Sequence, residues 1–259
     1  MSIEEVRTNK TGRTAFTLIE LLVVISIIAL MTSILIPSLA KVRENARRTI
    51  CSGHVRQFIF GCHLYANSHD DFLPGGHSDD QMVQNEVTII LAKDTRNELV
   101  ALIDNEQILQ CPSLTRPFTD PGGWFIPGNG YLIGYNYLGA HRETPWVPAA
   151  DSMIDPNEYE TWTSPQKASA KGNLALVTEL NTWSTYEYNL YTFAPHGKQG
   201  AITEGGDSRN SSAGGIRSDE LGAVGGNQGT LDGSVAWKHI KDMKVRRATY
   251  PFTSCYALW

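Results

Sequence analysis

Clustered positive charge is scarce in this chain. It carries 22 Lys and Arg against 27 Asp and Glu in 259 residues, a formal net charge of −5. Duplex affinity comes from neutralising phosphates with grouped cations, so nucleic acid is excluded as a partner. Catalytic signatures are missing as well: there is no GxSxG, HExxH, Walker loop or clean GxGxxG. The stretch Gly128-Asn129-Gly130-Tyr131-Leu132-Ile133-Gly134 misses dinucleotide spacing by one residue and runs into a strand pattern. The four cysteines, Cys51, Cys62, Cys111 and Cys255, show no CxxC or CxxH, so spacing offers no structural zinc motif. Internal repeats are absent, and one long apolar run stands alone, at residues 16–36.

That run decides most of the reading. It starts Phe16-Thr17-Leu18-Ile19-Glu20, and Glu20 is its only charged residue. Its 21 residues make a helix about 31 Å long, enough for a bilayer core of about 30 Å. A carboxylate at such depth costs several kcal/mol or needs a partner, so it implies a use. Ser38-Leu39-Ala40 imitates a signal-peptidase site. The run is nevertheless longer than a usual signal h-region, and an acid early in it is unusual. A retained anchor is therefore expected. Cations flank both ends (Arg7, Lys10 and Arg13 before; Lys41, Arg43, Arg47 and Arg48 after), so charge bias does not orient it.

The string FTLIELLVVISIIA, after the short basic leader MSIEEVRTNKTGRTA, resembles the start of type IV prepilins and of the pseudopilins of type II secretion. The resemblance covers residues 1 to about 40. It implies cleavage between Ala15 and Phe16 by a prepilin peptidase, and N-methylation of Phe16. Ala15 stands where the family usually has Gly. It also implies a helix kink at Pro37, and pairing of Glu20 with the new amine of Phe16 on the same or a neighbouring subunit. Methylation keeps the positive charge, and misaligned subunits would leave Glu20 unpaired, so the pair sets register. The implied setting is a single-pass inner-membrane protein with its C-terminal domain outside the cytoplasm. Its partners would be other pilin-like subunits, the assembly platform and the lipid bilayer. The basic residues 41–48 then face lipid headgroups or filament neighbours.

Further segments resemble a subgroup of pilin-like proteins abundant in Planctomycetes, Verrucomicrobia and Lentisphaerae: ARRTICSGHVRQFIFGCHLYANSHDDFLP, Cys111-Pro112-Ser113, Gly134-Tyr135-Asn136 and Asp232-Gly233-Ser234-Val235. That subgroup has a His ten residues before the Asp. Gly222 occupies the place here, and the nearest upstream His is His196.

Past Pro37 the helix is expected to continue to about residue 70, because Leu39, Val42, Ala46, Ile50, Val55, Phe58, Ile59, Cys62 and Tyr65 recur at helical steps. This stripe would dock on a head, residues 71–259. Asn67-Ser68-His69-Asp70-Asp71 stops the helix and Pro74-Gly75-Gly76 turns the chain. The expected fold is α+β: a long N-terminal spine helix packed on a β-rich globular head, a pilin-like lollipop. In the head, Thr95–Ile103 reads as helix. Tyr131–Leu138, Asn173–Leu180 and Tyr186–Phe193 read as strands, and Asp232-Gly233 as a tight hairpin turn. Residues 197–229, with ten glycines, read as one long surface loop.

On one helix Cys51 and Cys62 would lie about 16 Å apart, beyond the roughly 7 Å reach of a disulfide. Two pairings remain open. Cys51–Cys111 is favoured, because it staples a loop onto the spine in an oxidising compartment; Cys62–Cys255 would then tie down the C-terminus, although free thiols are preferred for that pair. Free buried thiols are the alternative. No cofactor is expected, apart from a possible calcium ion on Asp207, Asp219, Glu220 and Asp232, in or beside the Gly-rich stretch. His63, His69 and His77 with Asp70, Asp71, Asp79 and Asp80 fit no standard metal site. The six tryptophans motivate a rival function, a membrane-anchored glycan-binding protein or adhesin. The preferred reading is a structural filament subunit and not an enzyme.

Overall fold

A computed structural model describes residues 17–79, 86–114, 118, 120–142, 144–147, 154–155, 157–186, 190–205, 214–250 and 255–259. The chain divides into two compact units, Met1–Asn45 and Ala46–Trp259.

Helix α1 runs Leu18–Ser68 and passes through Pro37 without leaving the helical state. Its N-terminal part is apolar and long enough to cross a membrane, alone in this among the described residues. Within Met1–Asn45 its apolar side chains are uncovered, from Leu18 at 87% exposure to Val42 at 62%. Burial begins at Cys51 and takes in Val55, Phe58, Ile59, Gly61, Cys62 and Ala66. The docking stripe is therefore shorter than its periodicity implies: Leu39, Val42 and Ile50 belong to the exposed stretch. Helical spacing identifies a face but not what covers it. The helix ends as expected. Asp70 and Asp71 take left-handed φ values of 51° and 70°, which short polar side chains tolerate, and the Asp71 N–H donates to the Ala66 carbonyl.

The head follows as β1 Glu86–Val87, β2 Ile90–Leu91, α2 Lys93–Ile103, β3 Trp124–Ile126, β4 Gly130–Leu132, β5 Tyr135–Tyr137, β6 Ala175–Glu179, β7 Thr182–Ser184, β8 Tyr191–Gly197, β9 Gly200–Gly205, β10 Gly225–Thr230, β11 Val235–His239, β12 Val245–Arg247, β13 Thr249–Tyr250 and β14 Cys255–Leu258. Among the described residues all pairings between these strands are antiparallel. The main sheets run β11-β10-β6-β5 and β12-β14-β7-β8-β9; β2-β4-β3 and β1-β13 are smaller. The α+β expectation holds.

Three local expectations change. The run 131–138 is two strands in different sheets, β4 and β5, broken at Ile133-Gly134. A Cβ on Gly134 would sit 2.3 Å from the Cys111 backbone nitrogen, so the break lets the 111 segment cross. The supposed loop 197–229 contains β9 and most of β10; residues 206–213 lie outside the described set. The Asp232-Gly233 turn is wider than a two-residue hairpin. Only Gly233 has positive φ, 85°; the Thr230 N–H donates to the Ser234 carbonyl and the Gly233 N–H to the Thr230 carbonyl. Asp232 accepts from Thr230 Oγ1 and the Ser234 N–H, which holds its carboxyl below the usual range.

One core packs Val55, Phe58, Ile59 and Cys62 of α1 against Leu99, Ile133, Tyr135, Tyr137, Leu176 and Val177. A second gathers Cys51, Cys111, Phe118, Trp146, Trp162, Phe193, Cys255 and Trp259. Trp183, Met243, Val245, Tyr256 and Leu258 form a third.

Candidate functional site

Two places carry chemistry, one in each unit. The first is the start of α1. Ala15 and Phe16, the expected cleavage and methylation residues, lie outside the described residues with the rest of the leader. Thr17 and Glu20 are described and form a capping box. The Thr17 N–H and Oγ1–H donate to Glu20 Oε2 at 2.9 and 2.8 Å, and the Glu20 N–H returns to Thr17 Oγ1 at 3.3 Å. The pattern Thr-x-x-Glu before an apolar run is a sequence-level helix start, and reading Glu20 only as a buried charge overlooks it. Glu20 is thus an N3 residue whose carboxylate satisfies the first turn of the helix. Its side chain is exposed within its own chain. No cation stands between Thr17 and Ala40 to neutralise it locally.

Pro37 removes one helical N–H donor. Ser33 and Ser38 beside it donate to the carbonyls of Leu30 and Leu35, a satisfaction of hydroxyls by helix backbone that apolar surroundings favour.

The second place lies inside Ala46–Trp259. Cys51 of α1, Glu179 at the end of β6 and His196 on β8 bring their ligand atoms within 4.8 Å of one another, and all three are buried. His196 Nε2 is 3.2 Å from Glu179 Oε2. Asn227 on β10 donates its N–H and its Nδ2 to the two Glu179 oxygens, both at 2.9 Å, and a second Nδ2 bond reaches the Arg48 carbonyl at 3.0 Å. Burial favours the neutral imidazole, but the Cys51 sulfur and the Glu179 carboxylate outweigh it and push His196 up to about 10. The Cys51 thiol is pushed far up by its contact with Cys111 and by burial. Trp237 packs edge-on against the His196 ring, centroids 5.2 Å apart.

The cysteines divide accordingly. Cys51 Sγ and Cys111 Sγ are brought to 3.9 Å as free thiols. Cys62 and Cys255 are not brought together. They sit in separate cores, each thiol raised to about 12 by burial, and Cys255 lies 2.9 Å from Tyr191 Oη.

The acidic residues considered for calcium do not converge among the described residues. Asp219 and Glu220 both engage Arg217, Asp232 closes its own turn, and Asp207 lies outside the described set. The histidine–aspartate stretch is likewise dispersed. His63 bonds the Leu231 carbonyl, His69 the Tyr65 carbonyl, Asp79 accepts the Lys93 N–H, and Asp71 is held by Ser169; Asp80 is outside the described residues. Four tryptophans, Trp146, Trp162, Trp183 and Trp259, are buried in the cores. Arg48 covers Trp237 at 4.0 Å, and Trp124 is the exposed one.

Residues 10–36 match the family described as the prokaryotic N-terminal methylation motif. No curated protein and no solved structure matches the chain. The match spans the end of the basic leader, the expected cut after Ala15, Glu20 in the first helical turn and the apolar helix that follows. This N-terminal motif supports a type IV prepilin-like family for the chain, over residues 10–36.

Proposed function

We propose that this protein is a pilin-like subunit, a pseudopilin, of a type II secretion or type IV pilus-like system. A prepilin peptidase removes residues 1–15, the exposed amine of Phe16 is methylated, and the apolar part of α1 holds the subunit in the inner membrane with the head outside the cytoplasm. The subunit then moves into a filament whose interior is made of such helices.

One observation carries this reading: the methylation motif runs into a helix that begins at Leu18 and whose apolar side chains find no cover within their own unit. At about 25 cal/mol per Å² of apolar surface, an uncovered helix of that length is tolerable only against lipid or against other copies. Glu20 gives the assembled state its alignment. In the isolated chain its carboxylate is held by Thr17; in a filament it meets a neighbour's Phe16 amine, and a subunit out of step leaves that charge unmatched in apolar surroundings. The rival adhesin reading loses most of its aromatic platform to the cores, where four of the six tryptophans are buried. The subgroup resemblance adds cohesion to the reading, since Cys111–Ser113 and Gly134–Asn136 fall side by side in the head.

Mass spectrometry of the native N-terminus tests the proposal. The expected product begins at Phe16 and carries one added methyl group. A product that retains the first fifteen residues, or one trimmed after Ala40, overturns it.

A further inference from the structure

The cluster around Cys51 has no part in membrane anchoring or filament register, yet much of the head is built around it. Its three ligand types come from α1, β6 and β8, which are remote in sequence. The supporting residues are placed with equal care. Asn227 fixes both Glu179 oxygens. Asn136 Nδ2 holds the Glu179 carbonyl at 3.2 Å, and its own Oδ1 accepts from Thr88 and Thr182. Gly134 admits the Cys111 backbone, and Tyr135 Oη donates to the adjoining Gln110 carbonyl at 3.2 Å. Ser113 Oγ lies 3.8 Å from Cys51 Sγ. The two motifs Cys111–Ser113 and Gly134–Asn136 therefore meet at one point in the structure, and that point is the cluster.

We propose that Cys51, Glu179 and His196, with Cys111 as the fourth ligand, form a buried structural site for a divalent zinc-class ion. Thiolate, imidazole and carboxylate together are the donor set of such an ion and not of calcium or magnesium. The spacings fit. Around a tetrahedral ion, bonds of about 2.3 Å to sulfur place two sulfurs about 3.8 Å apart, and bonds of about 2.0–2.1 Å place a nitrogen and an oxygen about 3.3 Å apart. The observed Cys51–Cys111 and His196–Glu179 separations are 3.9 and 3.2 Å. Cys111 Sγ is close to Cys51 but outside the 4.8 Å group, so closing the site requires a movement of that side chain toward the ion. The Asn227–Glu179 bonds are the outer support that a metal-bound carboxylate needs. The ion would tie the helix to both main sheets. Complete burial of the three ligands means that it is acquired as the head folds.

The test uses the full-length chain in detergent, unfolded and refolded with either zinc chloride or a chelator, then dialysed and assayed for metal by mass spectrometry. The expected result is about one zinc per chain, with a higher melting temperature than the chelator-treated sample. Refolding with cobalt should give the visible absorption of a tetrahedral thiolate complex. Cys51→Ser and His196→Gln should each lose zinc at least tenfold. Should either fail to fold, Asn227→Ala keeps every ligand and should weaken zinc retention about tenfold. The proposal is overturned if the wild type retains no more zinc than the detergent blank. It is equally overturned if cobalt gives no thiolate band, or if peptide mapping of the zinc-refolded protein finds Cys51 and Cys111 joined in a disulfide. The proposal is independent of the filament reading: an unprocessed N-terminus would leave it standing, and a metal-free head would leave the filament reading standing.

Discussion

The two ends of α1 have similar chemistry and opposite surroundings. From Leu18 to Ile36 the helix carries Leu, Ile and Val in nearly unbroken succession, and none of those residues is buried. From Cys51 to Ala66 it carries apolar residues at intervals among Arg56, Gln57 and His63, and Val55, Phe58, Ile59 and Cys62 are fully buried. The richer apolar sequence has the emptier surroundings. A helix apolar all round needs an apolar environment on every side, whereas a helix with one stripe needs a single sheet face. Under the function proposed above the first half finds its partners in lipid and in other subunits, whereas the second half finds them in β5, β6 and β10. The same contrast holds for glutamates. Glu20 in the first half has Thr17 and, among the described residues, no cation; Glu86 in the head has His141 and Arg142.

The sharpest way to break the comparison is Glu20→Val. It should leave leader removal intact and the melting temperature of the head unchanged, while incorporation into filaments falls to background. Pelleted filaments and whole-cell subunit levels measure this directly, and normal filaments from the variant would remove Glu20 from register control. Next comes truncation on each half of the helix. Phe58 is fully buried and stacked on Tyr137 at 5.5 Å, so Phe58→Ala should cost about 3–5 kcal/mol in denaturant unfolding of the full chain in detergent. Leu21→Ala, in the exposed half, should stay within about 0.5 kcal/mol in the same assay. Equal losses would show that the first half is packed on its own chain after all.

How much of this was legible in the sequence follows the same division. The first half announces itself, because a run of 21 residues with one acid leaves few physical alternatives. Thr17 and Glu20 also spell a capping box, a local signal independent of the depth of the charge. In the head, α2 and the helix stop at Asp70-Asp71 are set by local signals, and the structure agrees with them. β10 was missed because Gly225-Gly226-Asn227-Gln228-Gly229-Thr230 has loop composition. Its glycines mark close approach: a Cβ on Gly229 would lie 2.4 Å from Ile59 Cδ1 and 2.6 Å from Val55 Cγ1. The buried cluster was invisible for a related reason, since ligands at 51, 179 and 196 have no spacing to recognise. Gly229→Ala tests the close approach. Overpacking should cost about 1–3 kcal/mol, while Gly172→Ala, strained by its positive φ of 106° but with only Leu174 nearby at 3.9 Å, should cost about 1–2 kcal/mol. A Gly229 variant as stable as wild type would mean that the helix can retreat from the sheet without loss.

The smallest expected effect separates the two glutamates by pH. Glu86 is buried, and burial alone would raise its carboxyl. The His141 ring at 3.0 Å and the Arg142 guanidinium and N–H, each at 2.7 Å, outweigh that and hold it below its ordinary value of 4.5. A folded value below the unfolded one contributes stability that is complete above the unfolded value and disappears as pH falls through the folded one. Denaturant midpoints of the wild type should therefore fall as the pH is lowered below about 5. Glu86→Gln, less stable at neutral pH because Gln leaves the Arg142 guanidinium without its counter-charge, should fall less over the same window, so that the two curves approach each other in acid. Parallel curves would mean that Glu86 does not stabilise the head through its charge. The same titration on Glu20→Gln should move no midpoint, because the counter-charge proposed for Glu20 belongs to another molecule and is missing from a detergent-solubilised monomer.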